Sequence, residues 1–232
     1  MVIGCDISLN HGGFCLFDVD GSVISWMFFH DVKKYVKAYP EHGILTEMKR
    51  GKDETPHAYD VRRASHYAEL FSKHVAHPFR LDGICFSIEG YAIHQGSNST
   101  NRILQIAELT GVLKNIIYTR GGMMRIHDPL SVKMYAYSGK ATKREMREAA
   151  GADGFVLPDD LFKETKKDLD GPGTDVVDAY WLGKMLVTEL KLRSGELVMS
   201  DLPENQIKVF NRVTKAFPVN VLARPFIGDT DD

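Results

Sequence analysis

The first thirty residues constrain the fold most, because three short apolar segments follow one another with little chain between them. VIGCDIS begins at residue 2, and GGFCLFDV follows after a turn-like LNH. The pair Asp20–Gly21 then precedes SVISWMFFH, and Asp-Gly is typical of a tight β-hairpin turn. Strands joined by so few residues pair antiparallel, so we expect the chain to begin with a three-stranded meander.

Helices and strands alternate after residues 33–56, a stretch rich in Lys, Glu, Gly and Pro that is predicted to be a loop or insertion. Apolar residues at helical spacing predict a helix over 57–75, and the apolar LDGICFSIEG is predicted to be a buried strand. A long helix over about 98–118, the short strand MMRIHD and helices capped by Asp128 and Thr142 follow. This order predicts an α/β fold with a five-stranded mixed sheet, three antiparallel strands and then two parallel ones, flanked by helices.

The chain of 232 residues is long enough for one domain with an extension. We expect a domain over 1–192, with the insertion near 33–56, and a C-terminal extension over 193–232. No stretch approaches 18 apolar residues, the N-terminus has no basic region, and three cysteines without regular spacing do not indicate disulfides. These features predict a reduced, cytoplasmic protein that neither spans a membrane nor is secreted.

Four acidic residues lie in otherwise apolar sequence. Asp6 is in the first strand and Glu89 ends the fourth, while Asp175 and Asp178 are one turn apart at the start of a helix whose inward face continues to Leu182. Each alone has an ordinary explanation as a cap or turn residue. Converging carboxylates, however, repel one another and are costly to bury unless cations neutralise them.

Oxygen-only ligands suit Mg²⁺ or Mn²⁺, and no cysteine–histidine set with zinc spacing competes for a metal. Four carboxylates can hold two divalent ions about 4 Å apart, which supports in-line attack on a phosphodiester. The sequence therefore predicts a catalytic, metal-binding set that consists of Asp6, Glu89, Asp175 and Asp178, with two Mg²⁺ ions per site and Mn²⁺ as a substitute.

Residues 133–147 carry a local excess of positive charge in a chain whose net charge is −2. One acid, Glu145, stands among five cations, which are Lys133, Lys140, Lys143, Arg144 and Arg147. Such a segment can contact DNA phosphates even in a slightly acidic protein. A solvated helix face is the alternative explanation.

The same segments resemble motifs of the RuvC-type Holliday junction resolvases, within the ribonuclease H-like (retroviral integrase) superfamily. IGCDISLNHGGFCLFD is similar to the family's first motif, SIEG to its strand-four glutamate, and TDVVDAYWLG to its closing Asp-x-x-Asp-Ala helix. DPLSVKMYAYSGKATKREM resembles the family's helix, glycine turn and lysine-bearing helix. The likeness covers roughly residues 1–190 in order, and the extra segments 33–56 and 193–232 suggest a divergent viral or organellar branch.

The resemblance implies a ribonuclease H-like fold and a homodimer that introduces paired nicks across a four-way DNA junction, using Mg²⁺. It gives the four acids as metal ligands, and Lys133, Lys140 and Lys143 as candidates for contact with phosphate. The helix over about 98–118 falls where the family places dimer contacts. A protein of this kind is expected in the cytoplasm or in the DNA-containing compartment of its host.

Three further residues are candidates for DNA contact. The family's wedge aromatic, three residues beyond the glutamate, is replaced here by Ala92, and Tyr91 either stacks on a DNA base or packs locally. Asn98 and Arg102 lie at the start of the long helix, where they contact phosphate or only cap the helix.

Two other classes of protein share these features. Actin-like and sugar-kinase-like ATPases also begin with a strand-borne aspartate and a glycine hairpin, but they need a second such domain and a second phosphate loop. A non-catalytic protein that binds branched DNA is the other alternative, although it would have no reason to keep four buried acids.

Overall fold

The computed structural model describes residues 1–76, 81–90, 100–213 and 218–228, without the side chains of 100–102. A six-stranded sheet lies at its centre. The strands are β1 (Val2–Ile7), β2 (Gly12–Phe17), β3 (Val23–His30), β4 (Gly43–Leu45), β5 (Cys85–Glu89) and β6 (Met123–His127). Across the sheet their order is β4-β3-β2-β1-β5-β6.

The pairing of the strands confirms the predicted mixed α/β fold. β1, β2 and β3 form the antiparallel meander, and β5 and β6 follow in parallel on the other side of β1. The predicted count of five strands is wrong, because β4 adds a sixth at the edge, parallel to β3. This strand lies in the segment predicted to be a loop or insertion, after helix α1 (Lys33–Ala38). A strand of three residues is too short to produce a recognisable alternation in sequence.

Six further helices surround the sheet in the described part of the chain. They are α2 (Pro56–Phe71, continued by a π-helical turn over Ser72–Ala76), α3 (Thr100–Thr119), α4 (Pro129–Ala136), α5 (Lys143–Ala152), α6 (Pro172–Ser194) and α7 (Glu204–Phe210). Both predicted caps are confirmed: the Asp128 carboxylate accepts the N–H of Ser131, and Thr142 and Glu145 form a capping box. Among the described helices, none has the length and apolar character needed to cross a membrane.

A short hairpin interrupts the stretch 151–173, where the sequence shows no regular element. It consists of β7 (Lys163–Glu164) and β8 (Leu169–Asp170), which pair antiparallel directly before α6. Strands of two residues carry no periodic signal, so the sequence could not reveal them.

Side chains alternate between the two faces of the sheet, and each face has its own core. On β1, Ile3 and Cys5 point to the core formed with α2 and α3, whereas Val2 points to the core formed with α6. Asp6 follows the alternation of Val2 and therefore points toward α6. The two acids of α6 are thus on the side of the sheet that carries Asp6.

Helix α6 lies unusually close to the sheet because glycines face it. A β-carbon at Gly4 of β1 would overlap the carbonyl oxygen of Ala179 in α6. A β-carbon at Gly13 of β2 would overlap the carbonyl oxygen of Asp175. Backbone therefore contacts backbone at two points, with no side chain between the helix and the strands.

The residues that follow α6, predicted to be a C-terminal extension, pack on elements earlier in the chain, and α6 itself runs through the predicted boundary to Ser194. Helix α7 contacts α4, and Asn205 donates to the carbonyl oxygens of Met134 and Tyr135. Farther along the chain, Ile227 forms an antiparallel bridge with Met124, next to the outer edge of β6. The described part of the extension thus shares contacts with the sheet and with α4.

Substitution Gly4→Ala is expected to destabilise the protein by about 3 kcal/mol or more, because the new methyl group forces α6 away from β1. The matched control is Gly151→Ala in α5, where an added β-carbon meets no atom within 4 Å. Alanine is favoured over glycine within a helix by about 1 kcal/mol, so this control should be neutral or stabilising. Urea unfolding measures the free energy of unfolding of both variants. Equal changes in the two variants would refute the close contact between α6 and β1.

Candidate active site

The predicted acids converge at one end of the sheet. Cys5 of β1 pairs in register with Ile88 of β5, so the next residues along these parallel strands, Asp6 and Glu89, are neighbours. Asp178 reaches the same place from the first turns of α6. These three acids line a cavity of about 390 Å³, together with Lys133 and Lys143.

Asp175 lies beside this cavity, against the neighbouring strand. Its carbonyl oxygen faces Gly13, which is the residue paired with Asp6 in the β1–β2 ladder. The carboxyl group is close enough to Asp6, Asp178 and Lys143 for their charges to act on its protonation. The structure therefore brings all four predicted acids together around the start of α6.

The acids carry more negative charge than their surroundings neutralise. Burial raises the pKa of Asp6 to about 7, with Asp178 adding to the effect and Lys143 opposing it. Burial, helped by Asp6 and Asp178, raises the pKa of Glu89 to about 8. Burial and the charge of Asp6 also raise the pKa of Asp175 well above its usual range. A group of carboxyls with raised pKa values is a site that favours added positive charge.

Lys143 supplies part of that charge. Its ammonium group forms an ion pair with the Asp178 carboxylate. Burial disfavours the charged ammonium, but Asp178, Asp6 and Asp175 together outweigh burial and raise the pKa of Lys143 above its usual value. The lysine therefore stays protonated at neutral pH.

The start of α5 fixes the position of Lys143, which is the first residue of that helix. Besides the capping box, the Asp168 carboxylate accepts the backbone N–H of Lys143 at 2.7 Å and that of Arg144 at 3.1 Å. Asp168 lies next to β8, so the short hairpin before α6 is joined to the start of α5. Sequence reasoning missed Asp168, because nothing in its local pattern indicates a cap for a helix 25 residues upstream.

The four carboxylates fit a hard divalent cation such as Mg²⁺ by their donor chemistry, which is oxygen alone. Their spacing is wider than that of a closed metal site. Within the described residues, no three of the four bring carboxylate oxygens within 4.8 Å of one another. Lys143 lies among them, so a bound ion would take over contacts that its ammonium group makes, beginning with Asp178.

The predicted basic residues do not form one continuous surface. Lys133 and Lys143 line the cavity with the acids. Lys140 is exposed and lies in a separate groove between α4 and α7, beside Leu130 and Arg212. Only two of the five cations are therefore adjacent to the acids.

Arg144 and Arg147 face the segment before α6. Arg144 pairs with Glu164 at 2.5 Å, and Arg147 pairs with Asp159 while its guanidinium lies 4.0 Å from the centre of the Phe162 ring. Both acids are largely exposed, so these ion pairs are in contact with water.

Three predicted DNA contacts have no described side chain: Tyr91 and Asn98 are outside the described residues, and Arg102 is described by its backbone alone. Sequence reasoning also missed two residues of the site. Gly13 permits the approach of Asp175, and the glycine pair after the first turn was its only signal. Tyr67, which lies in the helix predicted over 57–75, is buried near Asp6 and Asp175, and its hydroxyl donates to the carbonyl oxygen of His11.

In metal-free buffer with EDTA, the free energy of unfolding is expected to fall as the pH rises from about 5 to about 8. The pKa values of Asp6 and Glu89 are raised to about 7 and about 8, against about 4 in an unfolded chain. Between these values the folded protein binds more protons than the unfolded chain, so folding becomes less favourable as protons are lost.

The variant Asp6→Asn should have a larger free energy of unfolding than the wild type at about pH 8, where Asp6 is charged in the wild type. The difference between the two proteins should be smaller at about pH 5, where Asp6 is protonated. Urea unfolding at each pH measures both. Asp53→Asn, in an exposed loop, serves as the control and should keep the wild-type slope. A wild-type stability that stays level or rises over this interval would contradict the raised pKa values.

No family model and no curated protein sequence matches this chain. Solved structures do. The Thermus thermophilus RuvC structure is 13% identical, with 84% of this chain and 96% of that chain covered and a TM-score of 0.46. T. thermophilus RuvC in complex with Holliday junction substrate is 12% identical, with the same coverage and TM-score. The yeast mitochondrial Holliday junction resolvase Ydc2 is 13% identical, with 84% and 83% covered and a TM-score of 0.49. Because these identities and TM-scores are low, the mixed α/β fold of this chain is assigned from the strand order of its own sheet.

Proposed function

We propose that this protein is a metal-dependent endonuclease that resolves four-way and other branched DNA by paired phosphodiester hydrolysis. The observation that carries the proposal is the cavity in which Asp6, Glu89 and Asp178 meet two lysines, with Asp175 beside it. Acids with raised pKa values regain their charged form more readily when a cation binds among them, and a lysine-bearing rim suits an anionic substrate. The choice of branched DNA follows from the order of the sequence motifs, and a Holliday junction is the substrate bound in the T. thermophilus RuvC complex.

The four acids are the proposed ligands of two Mg²⁺ ions, for which Mn²⁺ would substitute. Such ions, when bound, would lower the pKa of an attacking water and stabilise the leaving 3′ oxygen. Lys143 would be released from Asp178 and become available to a phosphate oxygen. Lys133, on the same cavity wall, would contact the scissile or flanking phosphate.

The remaining cations would extend the contact along the DNA backbone. Arg144 and Arg147 would exchange their acidic partners, Glu164 and Asp159, for phosphates. Exposed ion pairs contribute only about 0–1 kcal/mol, so their exchange costs little. Because the net charge is −2, binding would depend on these local contacts and weaken steeply with salt.

Paired nicks on two strands require two active sites, so the functional unit would be a homodimer. Helix α3 carries exposed apolar residues that a partner could cover, namely Leu104, Val112 and Tyr118. Singly exposed apolar residues are common on protein surfaces, so the choice of α3 as the dimer contact rests on the family resemblance, which places dimer contacts on this helix.

The function is tested by cleavage of a synthetic four-way junction and of a linear duplex of the same sequence, with Mg²⁺ and with EDTA. We expect the junction to be cut, only with the metal, and Asp175→Asn to reduce the rate by at least about 1,000-fold. Junction binding by this variant should persist in a gel-shift assay, because phosphate contacts depend on the cations.

Asp53→Asn, at an exposed acid that does not line the cavity, is the matched control and should cleave at the wild-type rate. Equal cleavage of junction and duplex would refute the junction specificity. Binding of the junction without cleavage, by a folded protein in Mg²⁺, would favour the non-catalytic alternative. Full activity of Asp175→Asn would remove that residue from the ligand set.

Lys143→Met tests whether the lysine and the metal compete for the same acids. Without the ammonium group the carboxylates have lost their main cation, so Mg²⁺ should bind roughly tenfold more tightly. At high Mg²⁺ this would add about 1.4 kcal/mol to the metal-induced stabilisation, measured as a larger rise in Tm than in the wild type. Lys140→Met makes the same charge change on an exposed surface and should respond like the wild type. If Mg²⁺ raises the Tm of Lys143→Met by no more than it raises that of the wild type, the lysine and the metal do not compete for the acids.

A further inference from the structure

A second group of metal-ligating side chains lies at the same end of the sheet. His11 Nε2 is 3.0 Å from Asp31 Oδ1, and His30 Nδ1 is 3.5 Å from the same oxygen. All three ligand atoms lie within 4.8 Å of one another. The residues come from the turn between β1 and β2 and from the end of β3, so the meander brings them together.

The distances between these atoms suit a tetrahedral ion. Zinc bonds to imidazole nitrogen and carboxylate oxygen are about 2.0–2.2 Å long, which separates neighbouring ligand atoms by roughly 3.3–3.6 Å. The observed separations of 3.0 and 3.5 Å differ little from that value. Two imidazoles and one carboxylate leave a fourth position for water, and imidazole selects transition metals over Mg²⁺.

His30 Nδ1 and Asp31 Oδ1 are two acceptors 3.5 Å apart, and each has a hydrogen-bond donor of its own. The backbone N–H of Val32 donates to His30 Nδ1 at 3.0 Å, so this nitrogen carries no proton. It faces Asp31 Oδ1, also an acceptor, at 3.5 Å, and the His30 side chain is only 6% exposed. The Asp31 side chain is one-third exposed and its Oδ1 already accepts from His11 Nε2 at 3.0 Å, so an ion bound here would replace existing hydrogen bonds.

We propose that His11, His30 and Asp31 form a binding site for a zinc-like divalent transition metal ion. The site is separate from the carboxylate cavity, since none of the three residues lines that cavity. It does not depend on the proposed nuclease function.

Metal binding requires two rearrangements. The His11 and His30 rings stack with centroids 4.0 Å apart and planes 11° apart, whereas an ion lies in the plane of each ring it binds. The His11 side chain, 36% exposed in a turn, has room to tilt. The backbone N–H of Val32 would lose its hydrogen bond to His30 Nδ1, because that nitrogen would bind the ion. Val32 is exposed, so the N–H could donate to water in its place.

The ion would fix the turn that follows Asp6. His11 is two residues before Gly13, which pairs with Asp6. Two side chains from other parts of the chain already donate to carbonyl oxygens of this turn. Tyr67 Oη donates to the His11 carbonyl at 2.9 Å, and Thr46 Oγ1 donates to the Asn10 carbonyl at 2.5 Å. The hydrogen bond from His11 to Asp31 already joins the turn to the end of β3, and an ion would replace it with a metal bridge, so the role of the ion is structural.

The test is titration of the full-length protein with Zn²⁺ by calorimetry and with Co²⁺ by visible absorption, which reports tetrahedral coordination. We expect one tight ion per chain, an intense tetrahedral Co²⁺ spectrum and a raised Tm. His11→Gln and Asp31→Asn should each weaken binding by at least about 100-fold, because loss of a ligand costs more than loss of its outer partners. The control His57→Gln, exposed at the start of α2, should bind like the wild type.

A second control separates the two sites. Asp175→Asn, which alters the carboxylate cavity, should keep the Co²⁺ spectrum and the Zn²⁺ affinity. Loss of both in Asp175→Asn, or their retention in His11→Gln, would overturn the proposal, as would the absence of tight binding in the wild type. Circular dichroism of the metal-free variants verifies folding, and if Asp31→Asn fails to fold, His11→Gln in the half-exposed turn still decides the outcome.

Discussion

The contact of the α6 backbone with the glycines of β1 and β2 determines where the acids of this protein lie. Because Gly4 and Gly13 have no side chains, the helix settles against the strands at the distance set by its own carbonyl oxygens. Asp175 is one of the residues that makes this contact, and Asp178 lies one turn later. Packing, more than any interaction among the carboxylates themselves, therefore brings the start of α6 to Asp6.

That packing acts against electrostatics. Asp6 and Glu89 have raised pKa values because burial and the charges of neighbouring acids disfavour their charged forms, and Lys143 offsets only part of the effect. The remainder is a free-energy cost of ionising these acids, which the packing of the sheet against α6 must offset. Two capping interactions at the start of α5 hold Lys143 in place, so the fold controls the compensating charge as well as the acids. The fold itself thus brings the acids and their compensating lysine together.

Much of this arrangement could be predicted from local sequence, and the rest depends on contacts between distant residues. Alternation placed Asp6 on the correct face, and the caps at Asp128 and Thr142 gave the starts of two helices, because both signals act over a few residues. The edge strand β4 and the hairpin β7–β8 were not predicted, because strands of two or three residues are too short to show a periodic pattern of apolar residues. The grouping of His11 with His30 and Asp31 was not predicted either. It depends on how the strands of the meander pair, and the three residues do not follow a recognised metal-binding spacing in sequence.

The C-terminal extension completes the support of α6 from its other end. Arg125 of β6 and Glu189 of α6 form a buried ion pair at 2.5 Å, and the same arginine donates to the carbonyl oxygens of Arg224 and Pro225. Removing one partner of a buried pair costs about 3–5 kcal/mol, so these carbonyls help to retain a charge that the interior would otherwise disfavour. Glycines hold the first turns of α6 to the sheet, and the extension helps to hold its later turns to β6. Although far from the acids in sequence, the extension is thus part of the structure that positions them.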